Sequence, residues 1–392
     1  MNHLKTTSAL LPLALAAALA GCAQQPTAST GAAAATPAVT AKTAAQVQRQ
    51  ALAKGLYELA YSPRQNALFV ASSGGFGPDA SPAKVLRLNP QTLAVEGEIP
   101  LERKAFGVAY DDASGRLYLG NTVDLSVTVV DTLANRVLGV VQLEGKVKAK
   151  DKDGKDIERY PRDLRELAVD PANQRLFLAG HGGENGSVLY VVNTETLKVD
   201  KVLPGLGNAK APGFAFDAAG QRLFVTNLLG ELITISTRTL QITQRVKTDA
   251  EQPLNIAYDP GTQRLFVTDQ GLENIRAYQA KSIPGFASKN PGNRVLVLDA
   301  NTGQPLRSIA TDAGPMGILL DTPRQRLYVT NRAAGKLSVY DARSYALLQT
   351  LDLPTHPNSL AVDAQRNVLY VSIKNGEKDP KGSPESVARV QF

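Results

Sequence analysis

The sequence predicts an all-β fold, a seven-bladed β-propeller with four-stranded antiparallel blades. One five-residue strand motif recurs seven times along the 392 residues. Its copies are LFVAS at 68–72, LYLGN at 117–121, LFLAG at 176–180, LFVTN at 223–227, LFVTD at 265–269, LYVTN at 327–331 and LYVSI at 369–373. Each copy follows an apolar run and a turn, and two further strand segments follow each of the first six. A long β-sandwich, or two of them, is the alternative, but sandwiches do not repeat one motif at this spacing.

The sixth repeat shows the predicted blade. Strand A covers 316–321, strand B 326–331, strand C 336–341 and strand D 346–351. The strands are apolar on both faces, because each blade is expected to lie between two neighbours. With this strand order, the D-to-A and B-to-C loops of all blades share one rim around the central channel. We expect binding residues to lie on that rim.

The last repeat contains only three strands, and the third covers 386–392. An open ring would leave an exposed strand edge, which proteins avoid. We therefore predict that residues 47–53 add the outer strand of the last blade and close the ring. The propeller is predicted to span residues 47–392.

The first 21 residues are typical of a lipoprotein signal peptide. A basic start, MNHLK, precedes an apolar run at 9–20 that is too short to span a membrane. The run ends in Leu19-Ala20-Gly21-Cys22, which resembles a lipobox, and Cys22 is the single cysteine of the chain. The resemblance implies that Cys22 becomes the first residue of the mature chain and carries diacylglycerol and an acyl chain such as palmitate. A chance cysteine after an ordinary signal peptide is the alternative.

The same resemblance implies a location. Ala23 follows the cysteine, which favours the outer membrane, so the expected position is its periplasmic side, with membrane contact through the lipid anchor only. Residues 22–46 are rich in Ala, Thr, Ser, Pro and Gln. We predict that they form a flexible tether, because they contain almost no large apolar side chain.

The strand motif resembles the repeat of the YVTN propellers, whose letters the segment at 327–331 contains. The segments KGLYELAYS at 54–62 and PTHPNSL at 354–360 resemble the periplasmic YncE-like members of that family. The resemblance covers residues 47–392 and implies the propeller fold, no cofactor and binding of single-stranded DNA. Cys22 departs from the family pattern in location rather than in fold.

The predicted rim carries basic and aromatic residues. The chain has 43 Lys and Arg against 36 Asp and Glu, a net charge of +7, which favours anionic partners. Cations would bind phosphate, and rings such as Phe106, Tyr57 and Tyr160 would stack on bases. The candidate nucleic-acid-binding residues are Lys104, Phe106, Arg162, Arg165, Asn227, Asn331, Arg332, His356, Asn358 and Lys374. Alternatively, the basic loops are simply solvated and the asparagines cap strand ends.

Two insertions interrupt the repeat, and both are expected on the same rim. Residues 144–161 mix lysines with acidic residues, and DKDGKD at 151–156 lacks the ligand spacing of a calcium loop, so we expect a mobile loop. Residues 271–294 lie between strands B and C of the fifth blade and are expected to act as a lid or a partner contact.

Residues suited to catalysis are scarce, and no enzyme activity, metal or cofactor is expected. His181 and His356 are the histidines that remain after removal of the signal peptide, and a single cysteine excludes a CxxC zinc site. His181 with Glu184 would suit a propeller lactonase, whereas a surface histidine in a Gly-rich turn is the alternative. The predicted function is a monomeric binding propeller for single-stranded DNA, or a scaffold for envelope proteins.

Overall fold

The computed structural model describes residues 44–151, 153–182 and 186–392. Residues 44–392 form one compact unit of seven four-stranded antiparallel sheets, as predicted. The signal peptide, Cys22 and the predicted tether up to residue 43 lie outside the described residues.

The strands follow one another blade by blade. After β1 (Gln46–Ala53), the first blade contains β2 (Leu56–Ser62), β3 (Ala67–Ser72), β4 (Lys84–Leu88) and β5 (Val95–Pro100). The second contains β6 (Gly107–Asp111), β7 (Arg116–Asn121), β8 (Ser126–Asp131) and β9 (Arg136–Gln142), and the extra strands β10 (Val147–Lys150) and β11 (Asp156–Arg159) follow it. The third contains β12 (Asp163–Asp170), β13 (Arg175–His181), β14 (Val188–Asn193) and β15 (Lys198–Pro204).

The remaining blades repeat this order. The fourth contains β16 (Gly213–Asp217), β17 (Arg222–Asn227), β18 (Glu231–Ser236) and β19 (Gln241–Lys247), and the fifth contains β20 (Pro253–Asp259), β21 (Arg264–Asp269), β22 (Arg294–Asp299) and β23 (Pro305–Ala310). The sixth contains β24 (Pro315–Asp321), β25 (Arg326–Asn331), β26 (Lys336–Asp341) and β27 (Leu347–Asp352). The seventh contains β28 (His356–Asp363), β29 (Val368–Lys374) and β30 (Glu385–Gln391). Helix α1 (Glu273–Ser282) and the 3-10 turns Thr122–Asp124 and Pro171–Asn173 complete the described elements.

The second residue of every strand-B motif is an aromatic side chain that packs between blades. These side chains are at most 2% exposed, and they are Phe69, Tyr118, Phe177, Phe224, Phe266, Tyr328 and Tyr370. Apolar residues around them form seven clusters, one at each junction of adjacent blades. Burying one such ring contributes about 1.5–3 kcal/mol, so the motif explains why the blades associate.

The threonine in the fourth position of the motif joins one blade to the next. Thr330 Oγ1 accepts the N–H of Gly317 at 2.8 Å and donates to the carbonyl of Asn358 in the following blade at 2.9 Å. Thr268 makes the same pair of bonds one blade earlier. At these two places the threonine hydroxyl satisfies backbone groups of two innermost strands, whereas the buried Thr226 hydroxyl at the same motif position has no hydrogen-bond partner among the described residues.

Strand β1 closes the ring as predicted. It pairs antiparallel with β30, with Val47 opposite Val390, and completes the sheet of the seventh blade. It begins at Gln46, one residue before the expected start. The strands of the sixth blade lie within one residue of the predicted bounds.

The first insertion is a hairpin rather than the expected mobile loop. Strands β10 and β11 pair antiparallel, and Lys150 forms an ion pair with Asp156 at 2.6 Å. Val147, Ala149 and Ile157 share one face of this hairpin. Asp151 accepts the backbone N–H groups of residues 153 and 155, so the suspected calcium-like sequence forms an ordinary turn.

The second insertion contains a helix, α1, where the sequence predicted only an irregular segment. Arg276 on the helix forms an ion pair with Glu251 at 3.0 Å, and the buried Gln279 amide donates to the carbonyls of Leu228 and Glu251. These bonds hold the helix on the loops of the fourth and fifth blades. Its ten residues are too few to cross a bilayer, and the described part of the chain contains no helix that could.

Candidate functional site

A cavity of about 630 Å³ lies on the predicted rim, where the seven innermost strands begin. In each innermost strand, one residue pairs with the third residue of the strand-B motif, and the seven innermost strands can be aligned on that residue. Two residues before it, every blade places one side chain in the cavity wall. These seven residues are Tyr57, Phe106, Arg165, Pro212, Leu254, Met316 and Asn358.

The residue that directly follows each of these seven wall residues determines how closely neighbouring blades approach each other. These residues are Glu58, Gly107, Glu166, Gly213, Asn255, Gly317 and Ser359. A Cβ on Gly107 would lie 2.2 Å from the carbonyl oxygen of Arg165, and one on Gly317 would lie 2.3 Å from that of Asn358. Glycine at these places lets the backbone of the following blade come into contact.

Aromatic rings form one side of the cavity. The rings of Tyr57 and Phe106 meet edge to face with centroids 4.6 Å apart, and Phe76 stacks on Phe106 at 6.0 Å. The Phe76 side chain is 58% exposed at the mouth, on the B-to-C loop of the first blade. The cavity therefore offers a planar apolar surface to a ligand.

Four cations line the cavity. Arg332 donates to Asn358 Oδ1 at 2.8 Å, and Arg165 donates to Asn255 Oδ1 at 2.9 Å. Lys374 is buried against Glu385 at 2.9 Å, and Lys210 lies 5.6 Å from the centre of the Tyr278 ring. Burial lowers the pKa of both Arg332 and Lys374. Unlike Lys374, Lys210 contacts no carboxylate within the described ranges.

Helix α1 contributes to the opposite side of the cavity. Asn274, Ile275 and Tyr278 face the space, beside the apolar side chains of Leu228 and Leu254. The insertion thus forms part of the cavity wall.

His181 is buried in the cavity wall and is 9% exposed, so the expectation of a surface histidine is wrong. Burial, with the positive charges of Lys210 and Arg165, lowers its pKa to about 3. Its Nδ1 atom has no hydrogen-bond partner among the described residues. The imidazole is therefore neutral at physiological pH. Glu184, its suggested catalytic partner, lies outside the described residues.

Five of the ten candidate binding residues meet in the cavity. These are Phe106, Arg165, Arg332, Asn358 and Lys374. They were found because they stand at the ends of strands that converge on the channel.

The other five candidates are used inside the fold. Lys104 donates to the carbonyls of residues 73 and 75, Arg162 pairs with Glu144, and the His356 ring contacts the carbonyl of residue 332. Asn227 and Asn331 are fully buried, and their amides bond to the residue 206 carbonyl and to the residue 338 hydroxyl. These asparagines do not point into the cavity, because strand-end amides satisfy nearby polar groups.

The candidate list lacked several wall residues. Phe76, Lys210, Leu254, Met316 and Tyr278 were not on it. Leu254 and Met316 follow from aligning the innermost strands, as above. Phe76 lies on the B-to-C loop of the first blade and Tyr278 lies on the second insertion. Neither segment is periodic, so no repeat signal identifies these two residues.

Curated YncE proteins are similar to most of the chain. YncE of Salmonella typhimurium is 33% identical over 348 residues, which cover 87% of this chain and 90% of that protein. YncE of Escherichia coli K12 is 34% identical over 353 residues, which cover 88% and 91% respectively. No protein-family model matches the chain.

Solved structures of other propellers share the fold at low identity. The β-propeller domain of Cps50 (Swd1) from Myceliophteria thermophila has a TM-score of 0.62 at 12% identity, covering 88% of this chain and all of that domain. Hydrazine synthase of Kuenenia stuttgartiensis has a TM-score of 0.63 at 15% identity, covering 81% of this chain and 92% of that one. At these identities the likeness concerns the fold alone.

Proposed function

The chain belongs to the YncE family of β-propeller proteins, and from that membership we propose that it is a binding protein that takes single-stranded DNA at the central cavity. The observation that supports this most is that aromatic rings and cations line the same cavity. Single-strand binding needs both, since rings stack on bases and cations hold phosphates. Neither the stacking nor the phosphate contact depends on the identity of the base.

The bases would lie on the aromatic side. Phe76 is exposed at the mouth, with Phe106 and Tyr57 behind it. Stacking of a base on such a ring contributes about 1–3 kcal/mol and tolerates any sequence. Across the cavity, Tyr278 presents a second ring at the mouth.

The phosphates would lie near Lys210 and Arg332. Lys210 has a ring rather than a carboxylate as its neighbour, and Arg332 bonds to the neutral amide of Asn358. Cations in a cleft with low-dielectric walls attract anions more strongly than cations on an open surface. Lys104 and Arg162 are excluded from this role, because the protein itself occupies their hydrogen-bonding groups.

Titration with a labelled oligonucleotide at several salt concentrations tests the proposal. The chain has no tryptophan, so the label must be on the DNA. Each phosphate contact contributes a slope of about −0.7 in the log–log salt plot. Replacing Lys210 and Arg332 together by glutamine should weaken binding and reduce that slope by about 1.4.

Arg238→Gln with Arg343→Gln is the matched control. Both arginines are exposed in C-to-D turns, at the opposite ends of the strands, and their removal changes the net charge by the same amount. The control should bind as the unaltered chain does. Absence of binding at low salt, or an equal loss in both double variants, would refute the proposal.

We also propose that the propeller is anchored to the outer membrane through Cys22, on its periplasmic side. The support is the sequence Leu19-Ala20-Gly21-Cys22 after a short apolar run. Cells fed labelled palmitate should incorporate the label into the protein, and Cys22→Ser should abolish the incorporation. A Cys22→Ser protein that still carries the label would contradict the anchor.

A further inference from the structure

One imidazole in the cavity wall lacks a protein partner. His181 is the last residue of β13, borders the cavity and is only 9% exposed. Its Nδ1 atom is buried and forms no hydrogen bond among the described residues. Buried polar groups in proteins are hydrogen-bonded as a rule, so an exception calls for a physical reason. A ring that serves a ligand of the cavity is such a reason.

The two ring nitrogens of His181 have different roles. The pKa is lowered to about 3, mainly by burial, so the imidazole is neutral and carries a single N–H. A buried N–H without an acceptor is costly. Because Nδ1 is buried without a partner, we assign the proton to Nε2. Nε2 stands at the tip of the ring and is the donor that a ligand in the cavity can reach.

Loop contacts place Lys210 on the same side of the cavity. The B-to-C loop that follows His181 contains Ser187, whose hydroxyl donates to the carbonyl of Ala209 at 2.8 Å. Lys210 comes next in the chain, and its own carbonyl accepts the N–H of Leu228 at 2.8 Å. The segment that carries Lys210 is therefore fixed between the loops of the third and fourth blades, and both Lys210 and His181 line the cavity.

Arg165 adds positive charge to this side. Asp163 pairs with His181 between β12 and β13, and Arg165 stands two residues farther along β12. Its guanidinium reaches past the fourth blade to donate to Asn255 Oδ1 in the fifth at 2.9 Å. Its Nε atom lies 3.3 Å from Glu166 Oε1, so that carboxylate offsets part of its charge. Arg165 is thus a supporting charge rather than the main donor.

We propose that His181 and Lys210, supported by Arg165, form a subsite for a phosphate monoester, so that the cavity takes the phosphorylated end of a DNA strand. A monoester has three terminal oxygens and a charge of about −1.5 to −2 at pH 7. A phosphodiester within a strand has two such oxygens and a single charge. The ammonium, the guanidinium and the neutral N–H of the subsite match the monoester better.

The size of the cavity also favours a strand end. Its volume of about 630 Å³ is typical of a pocket for one small molecule, which corresponds to a nucleotide rather than to a long stretch of strand. Among the described residues that line it, Glu58 alone has a carboxyl group, and it lies beside Tyr57 in the first blade. No lining carboxylate therefore stands on the His181 side. Arg332, bonded to the neutral Asn358, is left for the next phosphate.

This inference rests on the proposed function and names the part of the strand that is bound. The probes are oligothymidylates of about 12 nucleotides with rhodamine on an internal base. They carry a 5′-phosphate, a 3′-phosphate or a hydroxyl group at both ends. One phosphorylated form should bind about tenfold more tightly than the hydroxyl form, as expected for hydrogen bonds to a charged group. Equal Kd values for all forms overturn the subsite and leave the DNA proposal intact.

Two variants test the residues. Lys210→Met and His181→Phe should each reduce the preference for the phosphorylated form to less than about twofold. The preference is a ratio of Kd values for one protein, so a uniform loss of affinity or of folded protein does not change it. A preference that either variant retains overturns the proposal.

Lys198→Met is the matched control. Lys198 is exposed at the start of β15, at the other end of the strands of the third blade, and its substitution removes the same charge. This variant should keep the preference of the unaltered chain. An equal loss in Lys198→Met and Lys210→Met would mean that net charge, rather than a subsite, causes the preference.

Free nucleotides separate this inference from the proposed function. If no oligonucleotide binds, calorimetric titration with 5′- and 3′-thymidine monophosphate and with thymidine decides the matter. Binding of a monophosphate that thymidine does not share, and that Lys210→Met abolishes, keeps the subsite and removes the DNA function. Absence of binding by both monophosphates removes the two proposals together.

Discussion

The ammonium group of Lys374 lies 3.8 Å from the centre of the Tyr57 ring, across the junction of the last and first blades. The same ammonium donates to the carbonyl of Leu56 at 2.7 Å and pairs with Glu385, which accepts the N–H of Leu56 at 2.6 Å. Both backbone groups of Leu56 are thus held by one ion pair of the seventh blade. The ring of seven blades is therefore closed at the rim by this ion pair and at its outer edge by β1.

The first prediction concerns that ion pair. Lys374→Met leaves the buried Glu385 without its cation and should lower the free energy of unfolding by about 3–5 kcal/mol. Lys374→Met combined with Glu385→Gln should lose clearly less, because no uncompensated charge remains. Denaturant unfolding of the wild-type protein and of the two variants measures this. A double variant as unstable as Lys374→Met would show that the charge itself is not what matters.

The second prediction concerns ring closure by β1. Removal of residues through Ala53 exposes the edge of β30 and should sharply lower the melting temperature. Removal of residues through Thr43 leaves the described propeller complete and serves as the control. The melting temperatures of the two truncated proteins, measured by thermal unfolding, test this prediction. Equal melting temperatures would mean that β1 contributes nothing to closure.

The third prediction concerns close packing of the innermost strands. A Cβ on Gly317 would lie 2.3 Å from the Asn358 carbonyl, so Gly317→Ala must push two blades apart. We expect a loss of about 1–3 kcal/mol of stability. Gly145→Ala is the control, because no atom outside its chain neighbours lies within 4 Å of the added Cβ and its backbone is not left-handed. Similar stability of the two variants would contradict the packing argument.

The sequence repeat predicts the fold, but it predicts only part of the candidate site. The motif and the turns between copies reveal all seven blades, because each strand quartet buries the same apolar positions. Arg165 and Asn358 were found as strand-end residues. In sequence, Lys104 looks like these residues. Its ammonium group instead points to carbonyls of the Gly-rich loop at 73–83, which strand position does not reveal. Local turn geometry, rather than strand position, decides which rim cations reach a ligand.

The fourth prediction concerns stability and pH. The pKa of Glu58 is raised well above its ordinary value of 4.5, so the folded state binds more protons than the unfolded state between these two values. Stability must therefore fall as the pH rises through that interval. Glu58→Gln removes this loss, and its melting temperature relative to wild type should increase from about pH 4 to about pH 8. Glu102→Gln should show a constant difference, and a constant difference for Glu58→Gln would contradict the raised pKa.

The last prediction concerns Phe76, whose exposed ring stacks on Phe106 at the cavity mouth. If a base lies on this ring, Phe76→Ala should weaken binding of oligothymidylate by about 1–3 kcal/mol, or roughly 5- to 150-fold in Kd. The melting temperature should barely change, because the side chain is 58% exposed. Leu133→Ala is the control, since that side chain is 67% exposed in a C-to-D turn at the other ends of the strands. Unchanged binding by Phe76→Ala would place the bases elsewhere and leave the cations alone to account for any affinity.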